Sequence, residues 1–126
     1  MRVIEVADRS GATLSTAEIL SREADDIEQT LARQKVATPL YLLDIRGRLI
    51  DSEDMAALLS ARELSGNPQI GFIIGGSVGV DDRINRLVED RLSFGRITLP
   101  HNLARIVLLE QLYRACRIKN NEPYHK

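Results

Sequence analysis

At 126 residues and a net charge of −1, the chain has the size of one domain, with enough length to bury one core. Its 44% hydrophobic and 28% charged content, the lack of any apolar run near ~18 residues and the absence of a signal-peptide pattern after Met1-Arg2-Val3 argue against a membrane protein and for a soluble globular one. The single cysteine, Cys116, excludes an internal disulfide and a Cys-based zinc site; with His101 and His125 as the two histidines, no metal is expected, and a reducing, cytoplasmic compartment fits best.

Arg2 to Val6 alternates and is β-branched, so it predicts a strand at the very start, followed by a loop from Ala7 to Leu14. Ser15-Thr16-Ala17-Glu18 carries capping-box spacing and opens a helix to about Gln34, with Leu20, Ala24, Ile27 and Leu31 on its apolar face. Leu40 to Ile45 is a nearly continuous apolar run, suited to a central parallel strand covered on both faces. Asp44 to Arg48 reads as the loop at its end. A helix over about Glu53 to Glu63 follows, with Met55, Leu58 and Leu59 inward, and Asn67-Pro68 is the expected stop. Strand Ile70 to Ile74 runs into the turn Gly75-Gly76-Ser77-Val78-Gly79, and a helix from Asp82 to Asp90 is capped by Asp81.

The pattern β-α-β-α-β-α-β-α, with short connections, predicts one α/β domain over residues 1–126 with a mainly parallel sheet and helices on both faces. Ligands in such sheets bind beyond the carboxyl ends of the strands. Three loops qualify: the one after Leu43, the glycine turn at Gly75 to Gly79, and Phe94 to Leu99. The glycine turn lacks Gly-Lys-Ser/Thr and the G-x-G-x-x-G order, so it is neither a Walker loop nor a dinucleotide fingerprint. It is read equally well as a ligand cradle or as a structural turn.

The last helix, Asn102 to about Lys119, is apolar almost all round, which predicts cover from a second subunit as well as from the sheet. Glu110 and Arg114 are spaced i to i+4, either as a surface pair or at an interface or site. Charge is uneven: residues 1–90 carry ten Lys/Arg against sixteen Asp/Glu, and residues 91–126 carry seven against two. Such asymmetry is compatible with a polyanionic partner, although the cations are spread out as on an ordinary solvated face. The tail ends in Tyr124 and His125 beside Pro123.

GFIIGGSVGV, LSFGRITLPHNLARIVLLEQLYRACRI and the closing EPYHK, with IEV and LDIRGR earlier, together resemble the ribosomal large-subunit pseudouridine-N3 methyltransferases of the SPOUT class. The resemblance spans the whole chain and is strongest from Gly71 onward. It implies a homodimer with a C-terminal trefoil knot, S-adenosylmethionine as cofactor and 23S rRNA of the assembled ribosome as substrate. It further implies cofactor contacts at Leu43, Gly75 and the loop Phe94, Gly95, Arg96, Ile97, Thr98 and Leu99. Glu110, Arg114, Tyr124 and His125 match the polar groups on the substrate side: Glu110 or His125 for proton handling, Arg114 and Arg105 for phosphate or for orienting Glu110, Tyr124 for stacking. Members of that family usually carry a further strand and helix ahead of the position of Met1. Its lack here raises the alternative of a catalytically silent cofactor- or RNA-binding relic. An unrelated phosphate-ligand enzyme is the third reading.

Overall fold

The computed structural model describes residues 15–66, 68–75 and 79–121. In chain order these form α1 (Thr16–Arg33), β1 (Leu40–Leu49), α2 (Ser52–Leu64), β2 (Gly71–Ile74), α3 (Asp82–Leu87), β3 (Asp90–Ser93) and α4 (His101–Lys119). The three strands are parallel in the order β2-β1-β3, so the apolar run Leu40 to Leu43 is the central strand, as its composition predicts. The strand expected at Arg2 to Val6 lies outside the described residues.

Helices cover both faces, and alternation along the strands divides the core between them. Leu42 and Ile73 face α1 and α3, packing with Ala24 and Ile84. Leu43, Phe72 and Ile74 face α2 and α4, where Met55, Ala56, Leu108 and Ala115 are buried. Leu42 and Leu92 are fully inaccessible.

Local chemistry sets the element ends. The Ser15 hydroxyl accepts from the Glu18 amide at 3.2 Å and starts α1. Helix α1 ends in a left-handed residue, Lys35 at φ +52°, with amides 35 and 36 returning to the carbonyls of Ala32 and Leu31 in the Schellman pattern. Helix α2 opens with a reciprocal capping box: Asp51 accepts from the Asp54 amide at 2.7 Å, and Asp54 accepts from the Asp51 amide at 2.9 Å. It stops earlier than Asn67-Pro68, at Ser65, because Gly66 takes φ +83° and its amide closes on the Glu63 carbonyl. Asp81 caps α3 by accepting from the Arg83 amide at 2.9 Å; that bond, and then the adjacent guanidinium, hold its carboxyl below the ordinary carboxylate range. Helix α3 ends at Leu87 rather than Asp90, since Asp90 already pairs with Tyr41 as the first residue of β3.

Strand β1 also departs from the expected pattern. It continues past Ile45 to Leu49, with Leu43 and Arg48 both registered against Leu92. Residues 44–47 therefore form a bulge inside the strand rather than a loop beyond it. Asp44 shapes the bulge by accepting from the Arg46 amide at 3.0 Å. Gly47 lets it lie flat on β3: a Cβ there would sit 2.7 to 2.8 Å from backbone atoms of Arg91 and Leu92.

Candidate functional site

The carboxyl ends of the three strands carry the bulge of β1, the turn after β2 and the loop between β3 and α4. Cross-links join these segments into one rim. The Arg96 guanidinium donates to the Ile45 carbonyl, tying the β3 loop to the bulge. Ser93, only 2% exposed, accepts from the Gly95 amide at 3.1 Å. Its own proton faces two acceptors, the carbonyls of Gly95 at 2.8 Å and Ile45 at 3.3 Å. On the other side, His101 Nε2 lies 2.8 Å from the Gly75 carbonyl, joining the base of α4 to the turn after β2. The Arg46 side chain reaches Gly79, 3.4 Å from where a Cβ would stand.

Each residue assigned to the cofactor by sequence sits on this rim or immediately beneath it. Leu43 is half-buried, with its side chain in the core facing α2 and α4. Phe94 packs into the same cluster, so it offers the rim its backbone rather than its ring. Gly75 needs its missing side chain, since a Cβ would approach Val80 Cγ1 to 2.9 Å. Gly95 holds φ +144°, a region open to glycine, with no atom within 4 Å of a would-be Cβ. Arg96 and Thr98 are exposed, Leu99 is half-buried, and Ile97 stands 77% exposed as the apolar tip of the loop. The rest of the glycine turn, residues 76–78, lies outside the described residues.

The residues assigned to the substrate side are elsewhere. Arg114 pairs with Glu110 through Nη2 at 2.6 Å and Nε at 2.8 Å, and both side chains are about one-third exposed or less. Glu110 also accepts from Gln111, which in turn accepts from the Ser52 hydroxyl at 2.6 Å, so α2 steadies the pair. Nine residues separate His101 from Glu110, about 13 Å along the helix axis. Within one chain the rim and the pair are therefore not one constellation. Tyr124 and His125 lie outside the described residues. No cluster of three or more His, Cys, Asp or Glu able to hold a metal occurs among the described residues.

Helix α4 exposes a stripe. Leu103, Ile106 and Tyr113 are 45%, 60% and 49% accessible, with Glu110 between them and Arg117 stacked on Tyr113 at 5.2 Å. Their spacing, i, i+3, i+7, i+10 and i+14, is that of a helix seam.

Comparison with known proteins decides the family. The model of the family described as "Predicted SPOUT methyltransferase" matches residues 1–125. The chain belongs to the SPOUT methyltransferase family. Among similar SPOUT proteins, the ribosomal RNA large subunit methyltransferase H of Latilactobacillus sakei is 42% identical over 125 residues, covering 98% of this chain and 79% of the relative. The proteins of the same name from Carboxydothermus hydrogenoformans and Acetivibrio thermocellus are 40% and 38% identical over 127 and 130 residues, each covering all of this chain and 80% of the relative. Membership in this family makes the α/β core with its rim of three loops a SPOUT fold.

Sequence reasoning missed Ser93 and His101. Each has a contact to a residue far along the chain, Ile45 for Ser93 and Gly75 for His101, which spacing does not reveal; a signal for His101 was its place directly after Pro100 at a helix start.

Proposed function

We propose that this chain is a homodimeric methyltransferase that transfers the methyl group of S-adenosylmethionine to N3 of a pseudouridine in 23S rRNA of the assembled ribosome. The observation that carries the reading is the cross-linked rim of three strand-end loops, in a chain similar along its whole length to proteins named ribosomal RNA large subunit methyltransferase H. The rim suits an adenosyl group: side chains are missing at Gly75 and Gly95, so a ligand can approach the backbone closely, and the exposed Ile97 offers one face to a purine. The cofactor, when bound, supplies an already activated methyl group.

The protein's own part is alignment and proton handling. Holding the base nitrogen in line with the methyl can account for roughly 7–11 kcal/mol of the barrier. As the N3–C bond forms and the C–S bond breaks, the N3 proton leaves to a base. Glu110, oriented by its ion pair with Arg114, is our candidate for that role, with His125 as the other. Arg114 and Arg105 serve phosphate groups, and Tyr124 stacks on a base. The 13 Å between rim and pair favours a site shared by two subunits, the seam of α4 bringing Glu110 and Arg114 of one protomer to the rim of its partner. The exposed Leu103, Ile106 and Tyr113 support that interface. The cross-links between the described rim segments favour an active enzyme over a silent relic.

Methyl incorporation into ribosomes lacking the modification tests the proposal. The wild-type chain should methylate them, and Glu110→Gln should slow the reaction at least 100-fold without weakening S-adenosylhomocysteine binding. Wild-type binding of S-adenosylhomocysteine without any methyl incorporation would restore the relic reading.

A further inference from the structure

We infer that His101 is a positioning residue for the cofactor site, holding the Gly75 backbone at the end of β2 in place through the bond from Nε2 to the Gly75 carbonyl. The inference rests on the proposed cofactor rim.

Sheet order leaves such a link to side chains. Strands β2 and β3 flank β1, so the loops that follow them start two strand spacings apart, about 10 Å. No strand ladder joins them. The bulge of β1 lies between and is already tied to the β3 loop by Arg96 and Ser93. The turn after β2 carries instead the most permissive kind of residue at its first position, a glycine whose carbonyl any loss of restraint would release. His101 supplies that restraint from a firm base, the first turn of the 19-residue α4. The helix start itself does not use a side-chain cap at Pro100, so the imidazole is the side-chain anchor described at this end.

A carbonyl oxygen only accepts, so Nε2 carries the proton in this contact. Both the neutral Nε2–H tautomer and the charged ring satisfy it. The link therefore needs a donor at that point and not a particular charge, which separates a positioning role from proton transfer. Losing it leaves the Gly75 peptide to be positioned at the cofactor's expense. Ordering one residue corresponds to roughly tenfold in affinity.

The test compares His101→Ala, His101→Phe and His101→Gln with wild type, by calorimetry with S-adenosylhomocysteine and by methylation kinetics on unmodified ribosomes. Glutamine can present Nε2–H near the same place; alanine and phenylalanine cannot. The expected result is a Kd and a cofactor KM raised about tenfold in the Ala and Phe variants, restored within about twofold by Gln. At saturating cofactor, kcat should stay within about twofold in all of them. Circular dichroism melts show which variants are folded, and the Gln-versus-Phe contrast stands even if Ala unfolds. Unchanged affinity in the Ala and Phe variants overturns the inference, as does a fall in kcat with KM unchanged. Failure of the wild-type chain to bind S-adenosylhomocysteine overturns the rim as a cofactor site and this inference with it.

Discussion

Gly47 shows how much one missing methyl can decide. It lies inside the bulge of β1, over the backbone of β3, where a Cβ would meet three main-chain atoms within 2.8 Å. Those atoms cannot swing away as a side chain end could. Gly47→Ala should therefore separate β1 from β3 and destabilise the domain by about 1–3 kcal/mol, read as a lower urea midpoint with little change in slope. Because Ile45 and Arg46 belong to the same bulge, S-adenosylhomocysteine binding should weaken with it. A Gly47→Ala chain as stable as wild type would mean that the bulge can lift without cost. The glycine was visible in LDIRGR as a turn residue, but its reason was not. That reason is the proximity of Arg91, more than forty positions later. The caps, by contrast, were legible, because Ser15 and Asp81 act on amides two or three residues away.

At the scale of elements, α4 carries two faces with different duties. Leu108 and Ala115 are buried against α2 and the sheet, whereas Ile106 is 60% accessible on the opposite side. The all-round apolar composition predicts cover from a second subunit as well as from the sheet, and the packing shows which side the chain itself covers. Ile106→Glu places a charge at the centre of the exposed seam without touching the core. It should shift a dimer to monomers in sedimentation velocity at micromolar concentration while leaving the far-ultraviolet circular dichroism unchanged. A variant that stays dimeric would move the interface elsewhere. The same helix explains why the site was only partly legible. The i to i+4 spacing identified the Glu110–Arg114 pair, and strand-end logic identified the loops at Gly75 and Phe94 to Leu99. Phe94, however, also packs its partly buried ring against the core between α2 and α4. The link through His101 depends on sheet order, which periodicity does not encode.

The whole molecule raises a question of shared sites. If rim and pair meet across two subunits, two inactive chains can repair each other. Mixing Glu110→Gln with a variant whose rim is broken, such as Gly95→Val, should yield mixed dimers with one complete site, formed by the intact rim of the first and the intact pair of the second. Methylation by the mixture, after exchange, should far exceed that of either parent. No recovery would place both halves within one chain. Legibility at this scale was uneven: parallel α/β architecture followed directly from alternating elements. Beside β2, however, the described residues leave an unpaired edge and a groove of about 1300 Å³ between α1 and α4, reached by Leu20, Ile27, Leu109 and Cys116. No local pattern announces such a groove, because α1 and α4 lie on opposite faces of the sheet and it runs round the edge of β2 between them.

The central position of β1 has a consequence for biosynthesis. Both of its hydrogen-bonded neighbours come later in the chain, and β3 begins at Asp90, some forty residues after β1 ends. At roughly 5–20 residues per second, the translating ribosome releases β1 several seconds before it can be flanked on both sides. During that interval its most apolar run, Leu40 to Leu43, presents two bare edges, the form of strand most prone to pairing with a neighbouring nascent chain. Slower codons between β2 and β3 should therefore lower soluble yield, even though the protein sequence is unchanged.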